Sequence, residues 1–370
     1  MDLQHITVQD ENNLKAKAEV KRSQIPVRRG VLSNVTNTKL AQPQGKPVVK
    51  ERLVSEPQQP RTIKRPASSN NIPVEQYGQT TNYHQHKRSK TLEYEWQDLD
   101  EEDWNDPLMA SEYVVEIFEY FHQLEIKTLP SRDYLSKQTY INSNMRDQLV
   151  DWMCEVHTKF RLLPETLFVA INLMDRFLSR EVVQVNRLQL LGTASMFIAS
   201  KYEEIYSPSV NNFSNESGST VEEILAAEKF ILEILEFDLS YPNPMNFLRR
   251  ISKADDYDVN TRTIGKYFLE VSIMDHRFIG IKPSLCAAAS MYLSRKMMGK
   301  EEWDGNLIHY SGGYFESELE PVVQLYLHYL VSPVIHEEFF KKYASKRFMK
   351  ASIIARQWAK NLVRASSSEL

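Results

Sequence analysis

The chain has 370 residues, 42% hydrophobic and 25% charged, with a formal net charge of −4, and this length allows roughly two domains. Its two cysteines, Cys154 and Cys286, are too few and too distant for a disulfide framework or a zinc site, so each is expected as a small buried hydrophobe in a reducing compartment. No 18-residue apolar run suggests a membrane-spanning helix, and the opening MDLQHITVQDENN has no apolar stretch of a secretory signal.

The charge is unevenly placed along the chain. Residues 1–90 carry 16 Lys and Arg against 7 Asp and Glu, whereas residues 91–370 carry 29 against 42. Blocks of opposite sign separate a solvated tail from a folded body. The first 90 residues hold seven prolines and only two aromatics, Tyr77 and Tyr83. Such a segment cannot bury enough apolar surface to offset the entropy of ordering, so residues 1–92 are expected to be a disordered basic tail. EYEWQDLDEEDWNDP (93–107) has eight acids and no base. It is expected to be an acidic junction whose Trp96 and Trp104 anchor onto the body.

From Pro107 a helical period begins. Leu108, Val114 or Val115, Ile117 or Phe118, Phe121 and Leu124 recur at three- and four-residue steps. A second helix is expected over about 143–161, with Met145, Leu149, Trp152, Met153 and Val156 on its apolar side. Pro164 marks the first turn of a third. A fourth, about 186–203, is apolar nearly all round and rich in small residues, as expected of a central helix with close neighbours. A fifth, VEEILAAEKFILEILEF, follows a polar loop at 211–220.

Tyr241-Pro242-Asn243-Pro244 breaks the chain, and the plan then recurs. Helices are expected near 244–253 and 258–277, over Pro283 to Met298, after Pro321, and over about 345–363. PSLCAAASMYLSRK echoes LQLLGTASMFIASK in character. The expected fold is therefore all-α, two tandem lobes of about five helices each. The divisions are a tail at 1–92, a junction with an N-terminal helix at 93–127, and lobes at 128–240 and 241–370.

No catalytic constellation stands out. The eleven glycines form neither G-x-G-x-x-G nor a phosphate loop, and G-x-S-x-G and H-E-x-x-H are absent. His336-Glu337-Glu338 is the nearest approach to a metal pair, and a solvated helix start explains it better. The carboxylates are expected mostly on solvated helix faces. No enzyme activity and no cofactor are expected. The acidic body would repel phosphates, which disfavours a nucleic-acid partner, and no membrane partner is expected.

Three segments in order carry a family resemblance. They are MRDQLVDW (145–152), MDRFL (174–178), and LQLLGTA (188–194) running into ASKYEEI (199–205). Together they resemble the cyclin box. LMASEYVVEIFEYFHQLE, the run from Tyr241 to Asp258, WDGNLIHYSGGY and RFMKASIIARQWA extend the resemblance to fungal mitotic, B-type cyclins over roughly residues 93–362.

The resemblance implies two cyclin-box lobes and a regulatory subunit that activates a cyclin-dependent serine/threonine kinase at the G2/M transition and in mitosis. It implies a structural ion pair between Arg146 and Asp175. It assigns the kinase contact to Lys201 and Glu228, with Tyr202, Glu203, Glu204, Ile205 and Phe168 around them. Taken alone, Lys201 reads as a cation at a helix C-terminus and Glu228 as a solvated residue. A docking patch for short substrate or inhibitor peptides is implied at Met145, Leu149, Trp152, Glu155, Leu188 and Gln189. Gln148 stands where many cyclins have an apolar residue.

Arg29-Gly30-Val31-Leu32-Ser33-Asn34-Val35-Thr36-Asn37 fits the destruction-box pattern R-x-x-L-x-x-x-x-N. Arg29, Leu32 and Asn37 would be read by a ubiquitin ligase in an extended groove. Lys64-Arg65 and Lys87-Arg88-Ser89-Lys90 read equally as a nuclear import signal or as a solvated basic tail, and the expected location is nucleus and cytoplasm. The competing class is a cyclin-fold scaffold or transcription-factor-like protein, against which the acidic body argues.

Overall fold

A computed structural model describes residues 94–300 and 302–368. The expected tail at 1–92, with its destruction-box pattern and basic clusters, lies outside the described residues. The described residues form fourteen α-helices and no strand. No helix among them is long and apolar enough to cross a membrane.

The helices of the first half are α1 (Val114–Lys127), α2 (Tyr134–Lys137), α3 (Ser143–Phe160), α4 (Pro164–Leu178), α5 (Val185–Glu203), α6 (Val210–Ser217) and α7 (Val221–Ile234). Local chemistry sets where they begin. The Asn142 side chain accepts from Met145 N at 3.0 Å to start α3. Pro164 opens α4. Thr220 and Glu223 form a reciprocal capping box on α7. α5 is the centre of this lobe and packs against α3, α4, α6 and α7. Its small residues permit that approach, since a Cβ at Gly192 would come within 2.9 Å of Leu149 Cδ1 on α3.

The second half repeats the plan with α8 (Pro244–Lys253), α9 (Val259–Met274), α10 (Pro283–Met297), α11 (Gly305–Tyr310), α12 (Glu316–Val331), α13 (Glu337–Tyr343) and α14 (Ala351–Ser368). Here α10 is central and packs against α8, α9 and α12. Ala287, Ala288 and Ala289 on it are fully buried. The expected all-α, two-lobe architecture is the observed one.

The acidic junction is a strap along the second lobe. The Trp96 ring stacks on His309, with centroids 3.5 Å apart. Leu99 N donates to the Tyr310 hydroxyl, and Gln97 N to Asn306 Oδ1, each at 2.7 Å. Asp100 pairs with Arg250 and Lys253, and Asp103 with Lys253. Burial alone would raise the Asp100 carboxyl, but hydrogen bonds from Arg250 and Lys253 prevail and hold it below its ordinary value. Gly305 makes room for the strap, because a Cβ there would collide with Glu95 O.

Several expectations need correction. Trp104 does not anchor; it is 67% exposed. The helix expected from Pro107 starts only at Val114, because Ala110 adopts left-handed backbone and breaks the chain's path. The expected loop at 211–220 contains α6, whose Phe213 is buried edge-on against Phe160 and Phe197. Helix α12 begins before Pro321, because the Glu318 carboxylate accepts from Phe315 N and stabilises an earlier start. The last helix begins at Ala351, after left-handed Met349 and Lys350.

Candidate functional site

The structure brings Arg146 and Asp175 together. Arg146, 1% exposed, donates from Nη2 to Asp175 Oδ2 at 2.8 Å and from Nε to Oδ1 at 3.3 Å. Tyr134 adds its hydroxyl to Asp175 Oδ1 at 2.7 Å. The guanidinium also reaches the second lobe, donating to Met274 O at 2.6 Å and Ile273 O at 2.9 Å. Asp147, beside it, accepts from His276 N and faces its ring Nδ1 at 2.7 Å. Lobe-to-lobe contact is thus made by buried charge as well as by apolar packing. Farther along α3, Asp151 caps α13, accepting from Glu338 N at 3.1 Å and Phe339 N at 3.0 Å. Asp147 and Asp175 are buried exceptions among the described acids, most of which are exposed or half-buried.

His336 is likewise not a solvated helix start. It is fully buried, with Nδ1 at 3.1 Å from the Tyr329 hydroxyl, and burial pushes its pKa down to about 4. Burial does the same to His157 on α3, again to about 4. A histidine held neutral in this way costs stability as pH falls from its unfolded value of about 6.5 toward the folded one. Each is expected to cost about 2 kcal/mol between pH 7 and pH 5. His276 has the opposite sign. Its hydrogen bond to Asp147 raises its pKa, so its contribution is present below about pH 6.5 and lost as pH rises through the folded value. Urea unfolding of His336→Phe at the two pH values is expected to show a loss smaller than wild type by about 2 kcal/mol. An unchanged loss would remove His336 as a cause.

At the far end of α5, the structure pairs Lys201 Nζ with the Glu228 carboxylate of α7. The ammonium also lies 4.2 Å from the centroid of the Phe197 ring. Lys201 remains 44% exposed at its side chain, and Tyr202, Ile205 and Tyr206 stand out into solvent. Ile205 and Tyr206 are 90% and 92% exposed, an arrangement that folding does not explain. Glu203 is half-buried, and burial, with Glu165 and Glu204 nearby, raises its pKa. Phe168 is corrected: at 1% exposure it belongs to the core of α4 and offers nothing to a partner. Tyr206, and Leu225 one turn before Glu228 on α7, were missed by the sequence.

The residues expected to dock peptides divide into an outer and a buried set. Met145, Trp152 and Gln189 are half-buried, and Glu155 and Gln148 are exposed. Leu149 (3%) and Leu188 (0%) are buried beneath them, which corrects their assignment as contacts; they are packing between α3 and α5. The residues of this group left at the surface are few and include the polar Gln148. Among the described residues no group of three or more His, Cys, Asp or Glu could hold a metal ion.

Two tandem lobes, each wrapped around a small-residue helix, with Arg146 locked at their junction, define a two-lobe cyclin-box protein. Family models for the cyclin N-terminal and C-terminal domains match residues 116–240 and 242–357. The chain belongs to the cyclin family, among the fungal G2/mitotic-specific, B-type members. It is 62% identical over 269 residues to G2/mitotic-specific cyclin-2 of Saccharomyces cerevisiae, covering 72% of this chain and 55% of that one. It is 58% identical over 288 residues to G2/mitotic-specific cyclin CLB2 of Candida albicans, covering 77% and 58%. The chain thus spans a little over half the length of these curated relatives. Among solved structures, a viral cyclin from herpesvirus saimiri aligns with a TM-score of 0.50 at 20% identity, over 56% of this chain and 94% of that one. That likeness shows the fold.

Proposed function

We propose that this protein is a regulatory subunit that binds and activates a cyclin-dependent serine/threonine kinase at the G2/M transition. The observation that carries the reading is the exposed Ile205–Tyr206 pair beside the Lys201–Glu228 ion pair at the end of the central helix. It is a compact apolar and charged surface whose apolar members, Ile205 and Tyr206, stand in solvent without packing into the fold. Membership among the mitotic cyclins supports it. An active kinase needs its β3 Lys–αC Glu pair in place and its activation loop ordered. A rigid partner that binds only that state shifts the population toward it and supplies no catalytic atom.

Around this core stand four further proposals. Met145, Trp152, Glu155 and Gln189 dock short substrate or inhibitor peptides. Arg29, Leu32 and Asn37 form a destruction box read by a ubiquitin ligase. The basic tail clusters support residence in nucleus and cytoplasm. No nucleic acid or membrane is a partner.

One time course in dividing fungal cells tests kinase binding and degradation together. Immunoprecipitated full-length chain is expected to carry a cyclin-dependent kinase and to vanish as mitosis ends. An Arg29→Ala/Leu32→Ala form is expected to carry the same kinase and to persist. Absence of the kinase contradicts the binding; equal lifetimes contradict the destruction box.

A further inference from the structure

The cyclin resemblance assigns Glu204 to the kinase contact. In the structure its carboxylate turns back into the lobe. Oε1 accepts from Leu163 N at 2.7 Å and from the Thr166 hydroxyl at 2.6 Å. Leu163 is the N-cap of α4, a residue with no acceptor in its side chain, and Pro164 follows it. In a capping box a Glu three residues into the helix accepts the N-cap N–H. Here Thr166 holds that third position, and Glu204 supplies the acceptor from the end of α5. Its negative charge also lies at the positive end of α4.

A second pin lies three residues on. Ser207 Oγ is 2.8 Å from Ser200 Oγ, and the fully buried Ser200 donates to Phe197 O at 2.9 Å. Between the two pinned residues, Glu204 and Ser207, stand only Ile205 and Tyr206, the two most exposed aromatic or aliphatic side chains of this surface. The outermost residues of the segment are therefore flanked on both sides by pinned ones.

We propose that Glu204 is a positioning residue for kinase binding. With Thr166 beneath it and the Ser200–Ser207 hydroxyl pair behind, it forms a clasp that presents Ile205 and Tyr206 already in their bound shape. This rests on the kinase-binding reading above. A preformed segment spares the complex the entropy of ordering it. Breaking the clasp should therefore weaken association while leaving the activity of the assembled kinase alone.

Thr166 makes the test sharp. It is 0% exposed, so no partner can touch it. Activation of a purified cyclin-dependent kinase would be titrated with full-length chain and its variants, each checked for helicity and for melting above the assay temperature. Thr166→Val keeps the shape and removes the hydroxyl. It is expected to raise the half-activating concentration about fivefold with maximal activity unchanged, and Thr166→Ser to restore it. Glu204→Ala is expected to raise it at least about tenfold. Glu204→Gln keeps an acceptor oxygen and should stay within about threefold of wild type. A direct charge contact would lose as much with Gln as with Ala. In an Ile205→Ala/Tyr206→Ala background, adding Thr166→Val should change little, since the clasp acts only through those two side chains.

Wild-type half-activation by Thr166→Val overturns the clasp, as does equal weakening by Glu204→Gln and Glu204→Ala. Either outcome leaves the kinase reading standing, because wild type still activates. If wild type fails to activate, that reading falls and the clasp with it. Should Glu204→Ala not fold, Thr166→Val and Glu204→Gln decide.

Discussion

Arg146→Ala is expected to cost about 3–5 kcal/mol of stability. The side chain is 1% exposed and supplies donors to Asp175 and to two carbonyls of the other lobe, Ile273 and Met274. Truncation leaves Asp175 buried beside the Tyr134 hydroxyl alone, and leaves two carbonyls without that partner. An uncompensated buried charge, rather than the lost attraction, sets the size of the effect. Burial would lower the guanidinium's pKa, but Asp175 prevails and raises it, so the arginine stays charged in place. Arg146→Lys should recover only part of the loss, because one ammonium cannot reproduce the planar fork that reaches both lobes. Urea unfolding checks both variants, and a loss below about 1 kcal/mol for Arg146→Ala would show that the network is not what holds the lobes. A drop in melting temperature of about 10 °C should accompany it.

Removing the Lys201–Glu228 pair by double alanine substitution is expected to weaken kinase activation at least about 30-fold, equivalent to about 2 kcal/mol of binding. In the free chain the two side chains satisfy each other. Lys201 is partly exposed and Glu228 mostly covered, so the fold itself should lose little. The charge swap Lys201→Glu/Glu228→Lys separates the two roles. It can rebuild the pair within the chain, but it presents inverted charge to a partner. Stability is therefore expected near wild type in the swap, with activation still lost. Recovery of activation by the swap would mean that the pair matters only internally.

Helix identity was largely legible from the sequence, because Pro164, Pro244 and Pro283 open helices whose small or apolar residues keep a helical period. Helix α6 was not, because only Val210 and Phe213 interrupt a polar run that reads as a loop. The Arg146–Asp175 pair was legible through family resemblance. Its reach to Ile273 O and Met274 O was not, since a backbone acceptor has no letter in the sequence. Phe168 and Leu188 show a related limit. A motif names residues near a surface, but the rotation of α4 and α5 decides which of them face solvent, and both of these face inward. Glu204 was expected to face outward, but its carboxylate turns inward, to Leu163 N and Thr166 about forty residues upstream, partners that no local pattern reveals. Trp104 failed for the simplest reason: an indole in an acidic run suggests an anchor, but only Trp96 meets a ring to stack on.

The most direct test of the central claim is the phosphorylation rate of a serine/threonine peptide by a purified cyclin-dependent kinase, with and without the full-length chain. Low activity is expected for the kinase alone, with a rise of at least about 100-fold when the chain is added and saturation at one chain per kinase. A folded, helical chain that leaves the rate unchanged at micromolar concentration would contradict it.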